Sequence, residues 1–93
     1  MTLIVTTSKF ELGKVVITAA VRESLSQLSV LGALARHAHG EWGDLDEHDW
    51  KANDAALEHG FRLRSSYREG EVRFWIITEH DRSVTTVLLP DED

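Results

Sequence analysis

The sequence predicts a single α+β domain in which two or three helices pack on one face of an antiparallel sheet of three to five strands. Three observations carry that expectation. Residues 61–67, 72–78 and 83–89 alternate in hydrophobicity and are rich in β-branched and aromatic side chains, as an antiparallel meander requires. Residues 19–59 repeat apolar side chains at helical spacing, punctuated by capping residues. A chain of 93 residues is also enough for one modest core without staples.

In chain order, residues 3–7 read as a short strand and 14–18 as another, with Gly13 marking a turn or bulge between them. Thr18 is placed to cap a helix over 19–28, and Ser29 to cap a second over 30–39 that Gly40 ends. In that second helix Val30, Leu31, Leu34, Ala35 and Ala38 make the apolar arc, and Arg36 and His39 point away. A third helix spans 45–59, where Asp44 and Glu47 have capping-box spacing and Gly60 suits the C-terminal cap. Glu69-Gly70 then turns the first hairpin and 79–82 the second. If Tyr67 faces Val72 and Thr78 faces Ser83, then Phe61, Leu63, Ser65, Tyr67, Val72, Phe74, Ile76, Val87 and Leu89 share the core face. Arg62, Arg64, Ser66, Arg73, Trp75, Ile77, Val84, Thr86 and Leu88 share the other. Pro90 stops the last strand, and the acidic 90–93 tail is expected to fray.

The net charge of −6 is unevenly spread: 41–60 hold seven acids against one lysine, and 1–40 are mildly basic. Such a balance disfavours general affinity for nucleic acid or anionic membranes. There is no cysteine, so disulfide and thiolate chemistry are excluded. No apolar run approaches the roughly 20 residues of a membrane span. The opening residues lack a basic leader, so a cytoplasmic location is the default.

No catalytic, metal or phosphate-binding motif stands above background, and no cofactor is expected. The third helix carries one apolar stripe of Leu45, Ala52 and Ala56 and another of Trp50 and Leu57, with Asp49 and Asn53 between them. A carboxylate so placed needs a partner if it is buried, and an arginine is the natural one. His37 and His39 point to different sides of a helix, and His48 and His59 lie about 16 Å apart along one. The five histidines therefore read as surface or boundary residues rather than ligands. The turn holding Glu79, His80, Asp81 and Arg82 gathers acid, base and cation, which suits general acid–base work, although Asp81 can equally bond its own backbone. Ser65, Ser66 and Thr85 lack a nucleophile elbow. Arg62, Arg64, Arg73 and Trp75 fit a stacking surface for single strands, or an exposed face with arginine stems lying across Trp75.

Phe10-x-Leu12-Gly13-x-Val15-Val16, Leu34-Ala35-Arg36-His37, Gly40-x-Trp42-Gly43-Asp44-Leu45, Asn53-Asp54-x-Ala56-Leu57, Ser65-Ser66-Tyr67 and the run from Trp75 to Pro90 together resemble a family of small bacterial plasmid-related proteins. Its members are carried on plasmids and other mobile elements. The resemblance covers nearly the whole chain from Phe10 onward, and Ala19 stands where the family often has proline. It implies no activity and supplies no catalytic residues. It implies an accessory role on a mobile element, in defence or counter-defence.

The first functional expectation is therefore a non-enzymatic interaction protein that meets a basic protein partner. Its contacts would be Asp44, Asp49, Asn53, Asp54, Glu79, Asp81 and Arg82, with Arg82 paired to Asp44, Asp49 or Asp54. The alternatives are a nucleic-acid module on Arg62, Arg64, Arg73 and Trp75, or a small enzyme at Asp81 and Arg82. A homodimer sealed by exposed Trp42 or Trp75, or by edge strands, is a further expectation.

Overall fold

The computed structural model describes residues 8–93, so the strand expected at 3–7 lies outside the described residues. The elements are β1 (Lys14–Ile17), α1 (Ala19–Ser24), α2 (Gln27–Ala38), α3 (Glu47–His59), β2 (Leu63–Glu69), β3 (Val72–Thr78), β4 (Val84–Leu88) and a closing 3-10 turn, Pro90–Glu92. The four strands form one sheet in the order β1-β4-β3-β2. The α+β class is as expected, but the sheet is mixed, because β1 runs parallel to β4. Helices between β1 and β2 carry the chain over the sheet, which is the long crossover that a parallel neighbour requires.

Thr18 caps α1 by accepting from the Val21 amide. The first helix is shorter than its periodicity implied and stops before Leu25. Ser26, not Ser29, caps α2, accepting from the Ser29 amide at 3.2 Å. The cause is tertiary: Glu69 of β2 accepts from the Ser26 amide, from Ser26 Oγ and from Ser29 Oγ, pinning the α1–α2 joint to the sheet. Asp46 rather than Asp44 caps α3, accepting from the Asp49 amide at 2.8 Å. Gly60 ends α3 in the left-handed region at φ 75°, where a side chain would be strained.

Both hairpin registers differ from expectation by two residues. Tyr67 faces Phe74 rather than Val72, and Thr78 faces Thr85 rather than Ser83. A slip of two preserves the pleat, so the two faces sort as expected. Tyr67, Phe74, Ile76 and Val87 pack against Val21, Leu25, Val30, Ala33 and Leu34 in the main core. A second cluster of Trp42, Ala56 and Leu63 sits where α3 meets β2. Phe61 is the exception on that face, 62% exposed, because it precedes β2 and its amide is drawn back to the Ala56 carbonyl. The 90–93 tail is ordered into its turn by Glu92, whose carboxylate accepts from the Leu89 amide and from Thr18 Oγ1.

Candidate functional site

Of the residues that sequence reading singled out, Asn53 and Asp54 meet at the contact between α3 and β2, and beside them the centre of the helix–sheet contact is His37. Lying seven residues after Val30 and three after Leu34, its ring falls on the buried side of α2 and is wholly buried. It is therefore no surface or boundary histidine. That helical spacing was the signal in the sequence, and the polar character of the residue concealed it. His37 Nε2 lies 2.8 Å from Thr78 Oγ1, Thr78 Oγ1 lies 2.7 Å from Thr85 Oγ1, and Thr85 donates to the Leu12 carbonyl at 2.6 Å. His37 Nδ1 bonds Ser65 Oγ.

A carbonyl can only accept, and this sets the direction of the whole chain of bonds. Thr85 donates to Leu12, so Thr78 donates to Thr85 and His37 Nε2–H donates to Thr78. The bare Nδ1 then accepts from Ser65. His37 is thus a neutral Nε2–H tautomer, and burial, seconded by the Arg82 charge, lowers its pKa to about 3. The Ser65–His37 bond has the form of a nucleophile and base. Both side chains are sealed from solvent, however, so the chain of bonds ties α2 to three strands instead of meeting a substrate.

The outer edge of β2 is covered by the segment before α3 and by α3 itself. The Ser66 amide donates to the Trp42 carbonyl, and the Asp44 amide donates to the Ser66 carbonyl at 2.6 Å. One residue pair along, Asn53 does in side-chain form what a strand would do. Its Nδ2 donates to the Arg64 carbonyl and its Oδ1 accepts from the Arg64 amide. Trp42 is fully buried, not exposed as a dimer seal, and donates from Nε1 to Asp54 at 2.9 Å. Its ring stacks on Phe10 and meets His37 edge-on. Tyr67 donates to the Glu41 carbonyl at 2.6 Å beneath the Arg36 guanidinium, and burial raises its pKa to about 12.

The expected pairing of Arg82 with an acid of α3 is not found. Arg82 donates to the carbonyls of Phe61 at 2.7 Å and Glu79 at 3.2 Å, reaches toward that of Ala56, and lies over the Phe10 ring. Asp44 and Asp49 lie at the N-terminal end of α3, whereas Arg82 meets the C-terminal end, where unpaired carbonyls attract a cation. Replacing Arg82 by Ala is expected to cost about 2 kcal/mol in chemical denaturation and to speed amide exchange around 56–61. Wild-type stability in that variant would show the contact to be idle. Asp81 accepts from the amide and hydroxyl of Ser83, closing its own turn, and these bonds hold its carboxyl below the usual range.

On the sheet's other face the Arg64 guanidinium lies 4.5 Å from the centre of the Trp75 ring. Arg62 is 3.5 Å from Glu79 and 3.6 Å from Asp93, so residues expected in two rival sites form one exposed pair. Arg73 is exposed and stands directly opposite Arg68, whose Nε lies 3.8 Å from Asp44. Asp49, Asn53, Arg62 and Arg64 line a shallow open cleft of about 230 Å³. Among the described residues no group of three His, Cys, Asp or Glu is placed to hold a metal ion.

The fold and these contacts define a small α+β domain whose distinctive polar residues bind its own helices to its own sheet. No family model, curated protein or solved structure matches the chain. No helix among the described residues is long and apolar enough to cross a membrane.

Proposed function

We propose that the chain is a non-enzymatic interaction protein of a bacterial mobile element, serving defence or counter-defence in the cytoplasm, and that the acidic face of α3 meets a basic protein partner. The observation that carries this reading is a division of labour along α3. Asn53 and Ala56 face inward and are buried, and Asp54 holds Trp42. Glu47 and Glu58 stand in solvent, whereas Asp46 caps the helix and half-buried Asp49 lines the cleft with Arg62 and Arg64 on its other side. Lys51, bonded to Glu47 at 2.9 Å, lies on the same face. Glu47 and Glu58 thus share one exposed face of α3, where their field favours a basic partner and fades with salt. The resemblance to plasmid-related proteins supplies the setting.

The stacking surface finds less support, because Arg64 already occupies the Trp75 ring and Arg62 is paired. The Asp81–Arg82 turn finds less as an enzyme site, since both side chains are committed to backbone groups. The test is affinity capture at low and high salt, with and without nuclease, beside the charge-reversed pair Glu47→Lys and Glu58→Lys. The expected result is a basic protein that survives nuclease, leaves with salt and is lost to the reversed pair. Capture that disappears with nuclease, and with Arg64→Glu plus Arg73→Glu, would replace this reading with nucleic-acid binding.

A further inference from the structure

The two edges of the sheet are treated differently. Asn53 and the segment around Gly43 close the β2 edge, whereas no described residue pairs with the outer edge of β1. Lys14 and Thr18 donate their amides to Ser83 and Val87 across the β1–β4 ladder. Alternation along the strand then directs the amide and carbonyl groups of Val15 and Ile17 outward. The side chains about this edge are apolar. Among the described residues the large exposed hydrophobics are Val15, Val16, Leu28, Leu31 and Phe61, and all but Phe61 belong to β1 or to the first half of α2. Ile17, Leu25, Val30 and Leu31 line a groove of about 380 Å³ beside it.

We propose that this edge is the seam of a homodimer, in which β1 pairs antiparallel with β1 of a second copy about a two-fold axis through Val16. The outward groups select that register, because Val15 must exchange hydrogen bonds with Ile17 of the other copy and Ile17 with its Val15. Val16 then faces its own counterpart on one side of the sheet. On the other side Val15 and Ile17 lie beside Leu28 and Leu31 of both copies, so each groove is flanked by the apolar edge of its partner. The result is a continuous eight-stranded sheet with both helical layers on one side.

Charge favours a second copy here over any other seam. The acids are concentrated in 41–60 and in the tail, 1–40 are mildly basic, and the tail's Glu92, bonded to Thr18, lies at the end of β1 that Lys14 of a second copy would meet. Since β1 and β2 lie at opposite ends of the sheet, joining copies at β1 leaves the two acidic α3 helices at the far ends, where screening is most effective. The dimer would thus present two well-separated acidic faces. The seam stands independently of what those faces bind, because its test reads mass and cross-linking and not partner capture.

The test uses the full chain. Sedimentation equilibrium should give a dimer, and Leu28→Glu, at a side chain 82% exposed, should weaken it at least tenfold while the circular dichroism of the folded monomer is kept. Val15→Pro should do the same by removing an outward amide that pairs with no described residue. The register has its own readout, because the protein contains no cysteine. Val16→Cys should form a disulfide-linked dimer under mild oxidation, since a residue on the two-fold meets itself at bridging distance. Val15→Cys, facing Ile17, should not. A wild type that stays monomeric at high micromolar concentration overturns the proposal. So does a dimer that survives Leu28→Glu, or one in which Val16→Cys fails to cross-link.

Discussion

Stability measured by chemical denaturation is expected to fall by about 1 kcal/mol for each pH unit between about pH 6.5 and pH 4.5, and His37→Gln to abolish that slope. Burial lowers the pKa of His37 from 6.5 to about 3 in the folded protein, so the unfolded chain takes up the proton first. A proton that binds the unfolded state more tightly destabilises the fold, and it begins to do so as pH drops below the unfolded value. The loss then grows until the folded value is reached. The carboxyls of Glu41, Glu69 and Asp81 have lowered pKa values, so their stabilising bonds are lost only as pH falls below their unfolded values. The interval above about pH 4.5 therefore reports on His37. His37→Gln should itself cost about 2–4 kcal/mol near neutral pH, through lost ring packing and the imperfectly satisfied hydroxyls of Ser65 and Thr78. An unchanged slope in that variant would place the titrating group elsewhere.

Gly43→Ala is expected to destabilise the fold by on the order of 3 kcal/mol, lowering the melting temperature by about 12–25 °C. Two causes act together. Gly43 has φ 76°, in the left-handed region, where a Cβ costs about 1–2 kcal/mol. That Cβ would also overlap the Ser66 carbonyl oxygen and approach Tyr67 Cδ1 to 2.7 Å. Neither neighbour can retreat easily, because the Ser66 carbonyl accepts from Asp44 and the Tyr67 hydroxyl is bonded to the Glu41 carbonyl. The substitution would lift the covering segment from the β2 edge and expose Trp42. Thermal melting with tryptophan emission reports both effects, and a blue-shifted, wild-type melt would show that the segment is held by other means.

The distinctive sequence blocks thus have a physical account that their spacing alone did not reveal. Trp42 read as an exposed aromatic because nothing nearby in sequence covers it. Its cover is Phe10, His37 and Asp54, brought together by folding. Asn53 read as a polar interruption between apolar stripes, and its task is to complete a strand edge at Arg64, eleven residues further along the chain. The partner foreseen for Arg82 was an acid, because charge can be read from composition. Its actual partners are main-chain carbonyls, which carry no sequence signature.

What the sequence determined by itself was whatever depends on local period and local chemistry. The alternation in β2, β3 and β4 divided the two sheet faces correctly even though both hairpins pair two residues away from the expected register, since the pleat repeats every two residues. Thr18 as a cap and Gly60 as a helix end were legible for the same reason. Contacts between segments far apart in the chain were decided only in three dimensions. The parallel docking of β1, the capture of Ser26 and Ser29 by Glu69, and the burial of His37 are of this kind. Each depends on which polar groups must find partners once a particular surface closes. That requirement belongs to the assembled interior, where an unpaired donor or acceptor is costly, and not to any stretch of residues taken alone.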